Sequence, residues 1–225
     1  DGTAALAVVA PVWNIIYSFG LLAGIGGSVR FCTLRGSKGM RHEDENGYFT
    51  AALGLAVLFS VLWWGIVAFF DAPMLRLFGA SDALLPLAQD YLLPIKFTVP
   101  FFLFNQMLAA FLRNDGSPAL ATAGVLAGGI FNVFGDWFFV FACDMGIFGA
   151  GLATAIGAGI SFCVMLTHFF SRRCTLRLVR PKRILLQTQQ ILVTGFSTFF
   201  IDVAMGILTM LFNRQIMRYI GTDGL

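Results

Sequence analysis

Apolar residues run through this chain in long blocks separated by short polar breaks. The blocks cover about residues 5–30, 48–70, 84–112, 118–142, 146–171 and 188–220. Each exceeds the roughly 20 residues that a helix needs to cross a hydrocarbon core, and none alternates in the short segments of a transmembrane barrel. The pattern predicts an all-α fold: a polytopic transmembrane helix bundle with six membrane-spanning helices. Among the breaks, Asn114-Asp115-Gly116-Ser117-Pro118 is the clearest turn, because glycine permits a positive φ and Pro118 suits the first turn of the next helix. Pro94 and Pro100 fall inside the third block, where each removes a helix hydrogen bond and predicts a bend. Gly20 with Gly24, and Gly124 with Gly128, stand four apart on one helix face and predict close helix contacts.

Composition strengthens the membrane reading. Of 225 residues, 58% are hydrophobic and only 12% charged, about half the charge of a soluble domain. Lys and Arg concentrate on one side of the predicted topology: Arg30, Arg35, Lys38, Arg41, Arg113, Arg172, Arg173, Arg177, Arg180, Lys182 and Arg183, against Arg76, Arg214 and Arg218 on the other. Basic residues near segment ends stay in the cytoplasm, so the loops near Arg35, Arg113 and Arg172 are expected to be cytoplasmic in a multi-pass protein of the cell inner membrane. The Arg172 to Arg183 run reads as a topology signal rather than a lipid-specific site. With basic residues at segment ends and a net charge of +3, nothing points to nucleic acid.

Cys32, Cys143, Cys163 and Cys174 show no CxxC spacing, and His42 and His168 are the two histidines. Spacing therefore predicts no disulfide framework, zinc site or metal cluster. The chain lacks a nucleophile elbow, a phosphate loop and HExxH, and its serines have no histidine at matching depth. An enzyme is not expected, and no cofactor is implied.

The chemistry lies in acids within the apolar blocks. A charge at bilayer depth costs roughly 2.5–3.5 kcal/mol on the translocon scale, so it needs a partner, a cavity or a function. Asp136 sits mid-block, with Asn132 four residues earlier on the same helix face. Asp136 is nine residues before Met145 and Thr154 nine after it, so an antiparallel hairpin brings both to equal depth. Carboxylate, amide carbonyl and hydroxyl are oxygen donors, suited to a hard cation such as Na+ or to a proton held on the carboxylate. The blander alternative is an Asp136 bonded to Asn132 merely to join helices. Asp202, near Ser197, Thr198 and Thr209, is a candidate for a substrate cavity or for satisfying a backbone group. Asp90 and Lys96 read as a structural pair or as groups that snorkel outward. The aromatic residues are mostly packing or lipid-facing material.

Three stretches together carry a resemblance: Phe111-Leu112-Arg113-Asn114-Asp115-Gly116-Ser117-Pro118, then Asn132-Val133-Phe134-Gly135-Asp136, then Gly146-Ile147-Phe148-Gly149-Ala150-Gly151-Leu152-Ala153-Thr154. In order and spacing they resemble the multidrug and toxic compound extrusion (MATE) transporters; Gly24 to Ser28 and Leu77-Phe78-Gly79-Ala80 fit as well. The resemblance implies twelve helices in two lobes around a central cavity, of which this chain supplies helices two to seven. Residues 1–183 would be most of the amino-terminal lobe, lacking its first helix, and 184–225 the first helix of the carboxy-terminal lobe. The start at Asp1 and the stop in a Gly-Thr-Asp-Gly turn fit a fragment, and Ile220 to Leu225 echoes Asp1 to Leu6 as equivalent points of two repeats.

The resemblance also implies that Asn132, Asp136 and Thr154 belong to an amino-lobe cation or proton site. In the family that site adds an acid from the first helix, which has no counterpart here. Asp202 falls on helix seven, where some members place a cavity-facing acid. The implied activity is secondary active efflux of small amphipathic cationic compounds in exchange for Na+ or H+. The implied partners are membrane lipid and the remainder of a two-lobe transporter. The alternatives are a lipid-linked oligosaccharide flippase of the same superfamily, an inactive fragment or a membrane scaffold.

Overall fold

The computed structural model of the protein describes residues 2–36 and 42–219. Lys38 and Arg41 of the basic set, Asp1, and the echoing segment from Ile220 to Leu225 lie outside the described residues. The described chain forms helices α1 (Gly2–Gly36), α2 (His42–Phe69), the short α3 (Asp71–Leu77), α4 (Leu85–Ile95), α5 (Val99–Asn114), α6 (Pro118–Asp136), α7 (Gly146–Leu166) and α8 (Ile184–Tyr219), with no strand among the described residues. Five helices are long and apolar enough to cross a membrane, and α4 with α5 reaches that length and apolarity only as a pair bent by 61°. The prolines account for the break. Pro94 stands at the end of α4, where it cannot continue the hydrogen-bond ladder, and Pro100 occupies the first turn of α5.

Helix α1 is the hub of the bundle and packs on α2, α4, α5 and α8. One apolar cluster, including Val8, Val12, Ile16, Leu75, Leu92 and Leu103, fills the half nearer the α3 end. A second, including Phe31, Phe49, Phe111, Met165 and Ile191, fills the opposite half. The expected glycine contacts form: a Cβ on Gly24 would sit 2.8 Å from Met107 Cα, and one on Gly128 would sit 2.6 Å from the Gly157 carbonyl oxygen. Helix α8 runs antiparallel to α1 at similarly close range, with Gly26 against Ile191, Gly195 against Leu22 and Gly206 near Pro11. Arg30 to Thr194 (2.9 Å) and Asn213 to the Ala7 carbonyl (2.7 Å) tie the pair near its two ends. The outer faces of α6 and α8 are apolar and uncovered, with Val133, Phe134, Phe200 and Ile201 exposed, as expected for surfaces that meet lipid or another membrane element.

The basic residues Arg30, Arg35, Arg113, Arg172 and Arg177 gather at the end of the bundle where α1, α5 and α7 finish and α2, α6 and α8 begin. There the turn after α5 closes as the sequence requires. Gly116 adopts φ +77°, and the Ser117 N–H reaches back to the Leu112 carbonyl at 2.9 Å.

Candidate functional site

Helices α6 and α7 form a hairpin whose small residues, Gly128 against Gly157 and Gly135 against Ala153, let the backbones touch. That approach brings Asn132 and Thr154 together: Asn132 Nδ2 donates to Thr154 Oγ1 at 3.0 Å. Thr154 donates to the Ala150 carbonyl at 3.0 Å, and the Tyr91 hydroxyl of α4 lies 3.3 Å from the same Oγ1. With its hydrogen on Ala150, Thr154 receives both neighbours on its lone pairs. One N–H of the Asn132 amide is thereby committed to Thr154, and its carbonyl oxygen is not used in that bond.

Asp136 is one turn further along α6. It does not share the equal depth with Thr154 that the hairpin count predicts; Asn132 takes that level instead. The cause is local. Residues Trp137–Ala142 continue α6 as a π-helix, which packs more residues into each turn, and the connection to α7 takes up further residues before Gly146. Asp136 is half-buried, makes no hydrogen bond to Asn132 or Thr154, and its Oδ1 is buried without any hydrogen-bond partner. The carboxylate therefore stands beside the Asn132–Thr154–Tyr91 chain rather than inside it.

A cavity of about 250 Å³ opens on this group, lined in part by Tyr17, Asn105, Gln106, Asn132, Thr154 and Ser161. Asn105 donates to the Ala158 carbonyl at 3.0 Å, and its Oδ1 has no partner. Unsatisfied oxygens in a low-dielectric interior are costly; the cavity lining offers amide and hydroxyl oxygens, and the Asp136 carboxylate lies one turn from Asn132 rather than in the lining. Tyr91, Tyr17 and Asn105 were not singled out by sequence reasoning. The available signal was the polar tip of a tyrosine or asparagine inside an apolar block, which needs a partner when buried.

The other deep polar residues divide. Asp202 on α8 is half-buried with Oδ2 unpartnered, one turn before Gly206, which packs near Asn14 and Ile15 of α1. Thr209 bonds the Met205 carbonyl of its own helix at 2.9 Å and leaves Asp202 alone. Of the two readings for Asp90 and Lys96, the mutual pair does not form. Asp90 is exposed, and Lys96 instead reaches Asp71 at the start of α3, 2.6 Å away, because the α4–α5 break turns Lys96 toward that loop.

At the basic end, buried Asp115 accepts hydrogen bonds from Arg35 Nη1 (3.1 Å), the Thr175 N–H (3.0 Å) and the Thr175 hydroxyl, and meets His168 Nε2 at 2.7 Å. Burial pushes the Asp115 carboxyl up, but these bonds outweigh it and hold the group below the usual carboxylate range. Beyond α7, residues 174–180 carry no regular secondary structure and form a strap toward α8. Its alternate N–H groups at Thr175, Arg177 and Val179 donate to Asp115, Asn46 Oδ1 (2.8 Å) and Thr50 Oγ1 (3.1 Å). Leu176 and Leu178, on the other side of the strap, line an apolar groove with Phe49, Leu108 and Phe169.

Comparison with known proteins agrees with this architecture. The family profile MatE matches residues 1–138. The multidrug export protein MepA of Staphylococcus saprophyticus is 26% identical over 219 residues, covering 96% of this chain and 48% of MepA. The chain thus spans about half the length of the curated relatives it matches. Among solved structures, an inward-facing MATE family transporter of the MOP superfamily superposes with a TM-score of 0.89 at 20% identity, over 99% of this chain and 51% of its own. The MATE multidrug transporter DinF-BH gives 0.87 at 24% identity, over 99% and 50%. At these identities the structures show the fold. The family profile, which covers more than half of the residues, shows the membership: this multi-pass membrane protein belongs to the MatE family, whose members are secondary transporters and not enzymes.

Proposed function

We propose that the chain supplies most of the amino-terminal lobe (1–183) and the first helix of the second lobe (184–225) of a multidrug efflux antiporter. In this reading, Na+ or H+ entry to a site made by Asn132, Asp136 and Thr154 drives export of small amphipathic cationic compounds. The observation that carries it is the Asp136 carboxylate with its buried, unpartnered oxygen, one turn from the Asn132–Thr154 bond, whose two residues line a cavity. The basic end faces the cytoplasm, and the protein sits in the inner membrane.

Coupling follows from the cost of that charge. An acid at bilayer depth carries a penalty of roughly 2.5–3.5 kcal/mol; a proton or Na+ on Asp136 removes it. If one lobe arrangement keeps the carboxylate wet and the other dries it, ion loading shifts their ratio by roughly a hundredfold. Export requires only that the substrate prefer the opposite arrangement. The unpartnered oxygen of Asp202 on α8, a helix packed against α1, supports a negative group facing a cationic substrate.

The test uses the intact two-lobe transporter in cells or vesicles, with dye efflux measured under separate sodium and pH gradients. Asp136→Asn is expected to abolish gradient-driven efflux while membrane insertion is unchanged; retained efflux sinks the assignment. Thr154→Ala is expected to weaken ion dependence less severely. Which gradient supports efflux identifies the coupling ion.

A further inference from the structure

Three side chains with metal-binding chemistry meet at the basic end, far from one another in sequence. Asp115 comes from the turn between α5 and α6, His168 from the helical turn that ends α7, and Cys174 from the strap. One donor atom from each lies within 4.8 Å of the other two. Sequence spacing predicts no metal cluster, and the three side chains come together only because the fold gathers separate elements.

The site has the features of a built one. The side chains of Asp115 and His168 are fully buried and meet at 2.7 Å, and His168 Nδ1 has no hydrogen-bond partner. The Cys174 thiol is half-buried, and its hydrogen bond is a long one, 3.7 Å to the Leu176 carbonyl. It borders a cavity of about 570 Å³ that includes Arg35, Glu45, Thr175 and Arg177 in its lining, which supplies a path for an ion and water for a fourth ligand position. Arg35 and the Thr175 hydroxyl hold Oδ1 of Asp115, while Oδ2 accepts from the Thr175 N–H at 3.0 Å and meets His168, so the His168 contact is the one that an ion replaces.

We propose that Asp115, His168 and Cys174 form a binding site for a borderline-soft divalent cation of the Zn2+ type. The mixed nitrogen, sulfur and oxygen set suits zinc better than calcium or magnesium, which take oxygen ligands. Zn–N and Zn–O bonds of about 2.0 Å at tetrahedral angles set nitrogen and oxygen roughly 3.3 Å apart. An ion that takes the place of the hydrogen between His168 Nε2 and Asp115 leaves the neutral imidazole protonated on Nδ1, which has no other partner, and opens their contact by about half an ångström. Cys174 binds as thiolate and releases its proton to solvent. The guanidiniums of Arg35, Arg172 and Arg177, which line the cavity with Glu45, oppose a cation, which makes the site reversible rather than a permanent structural centre. Because Cys174 belongs to the strap between α7 and α8, a bound ion pins that connection to the end of α7 and to the α5–α6 turn. The site is separate from Asn132, Asp136 and Thr154 and does not depend on their role.

The experiment titrates the purified, tag-free full chain in detergent with Co2+ alone, followed by Zn2+ competition. Cobalt reports its ligands: a thiolate gives a near-ultraviolet charge-transfer band, and tetrahedral geometry gives intense visible bands. The expected result is one saturable equivalent with both signatures, displaced by Zn2+. Cys174→Ser should remove the charge-transfer band and weaken Zn2+ binding at least tenfold, and His168→Gln should weaken it similarly. Cys163→Ser, on the α7 surface, should leave both unchanged. A wild-type protein with no saturable cobalt spectrum, or a charge-transfer band that survives Cys174→Ser, overturns the proposal. Cys174 is only half-buried and its replacement is nearly isosteric, so this variant decides the matter even if His168→Gln fails to fold.

Discussion

Gly151→Ala tests whether helix packing sets the geometry of the candidate ion site. Gly151 lies on α7 one turn before Thr154, and a Cβ there would stand 2.2 Å from the Tyr91 carbonyl oxygen and 2.9 Å from Pro94 Cγ. Carbon and oxygen normally approach to roughly 3.3 Å, so the overlap is about 1 Å, and its main target is helix backbone. Helix α7 must retreat from α4 by about that amount. The Tyr91 hydroxyl, already 3.3 Å from Thr154, then passes out of hydrogen-bond range. Asn132 stays with Thr154, because α6 and α7 are joined through Gly128, Gly157, Gly135 and Ala153. Overpacking costs about 1–3 kcal/mol and the lost hydrogen bond about 1 kcal/mol. The expected outcome is a lowered melting temperature and a shift of roughly tenfold or more in the ion concentration for half-maximal dye efflux. Gly159→Ala is the matched control, since a Cβ there meets nothing within 4 Å. If the two variants share one ion dependence and one melting temperature, the reasoning fails.

Three further outcomes follow from the same geometry. Tyr91→Phe removes the hydroxyl without disturbing α7, and a several-fold weaker ion dependence is expected in the efflux assay; an unchanged value removes Tyr91 from the site. Gly195→Val places a side chain where Cβ already stands 2.4 Å from the Leu22 carbonyl. It should destabilise the α1–α8 contact by about 1–3 kcal/mol in denaturant unfolding, whereas Gly129→Ala, with open space around its Cβ, should not. Burial pushes the Asp71 carboxyl up, but the Lys96 ammonium and the Ala72 and Gln89 hydrogen bonds outweigh it and lower its pKa. A lowered folded-state pKa stabilises above the ordinary value of 3.8, and the contribution is lost as pH falls below that value through the folded one. Lys96→Met should reduce stability at neutral pH and flatten the acid limb of a melting curve; an unaltered acid limb refutes the pairing.

The sequence alone determined the solvent and the helical character of the apolar blocks. Blocks of apolar residues long enough for a bilayer can satisfy their backbone only as helices, and Pro94, Pro100, Gly116 and Pro118 mark breaks through restrictions that act within a few residues. Asn132 and Asp136 share a face for the same local reason, and the MATE-like motifs were legible as spacing. Tertiary structure decided what those residues touch. The π-helical turn after Asp136 shifts the hairpin so that Thr154 meets Asn132, the 61° break directs Lys96 to Asp71 instead of Asp90, and α4 brings Tyr91 to Thr154. Asp115, His168 and Cys174 converge only once three elements end at one level. Such contacts depend on the axial offset and rotation of whole helices, which are set by where small residues let backbones approach, and no local periodicity encodes that offset.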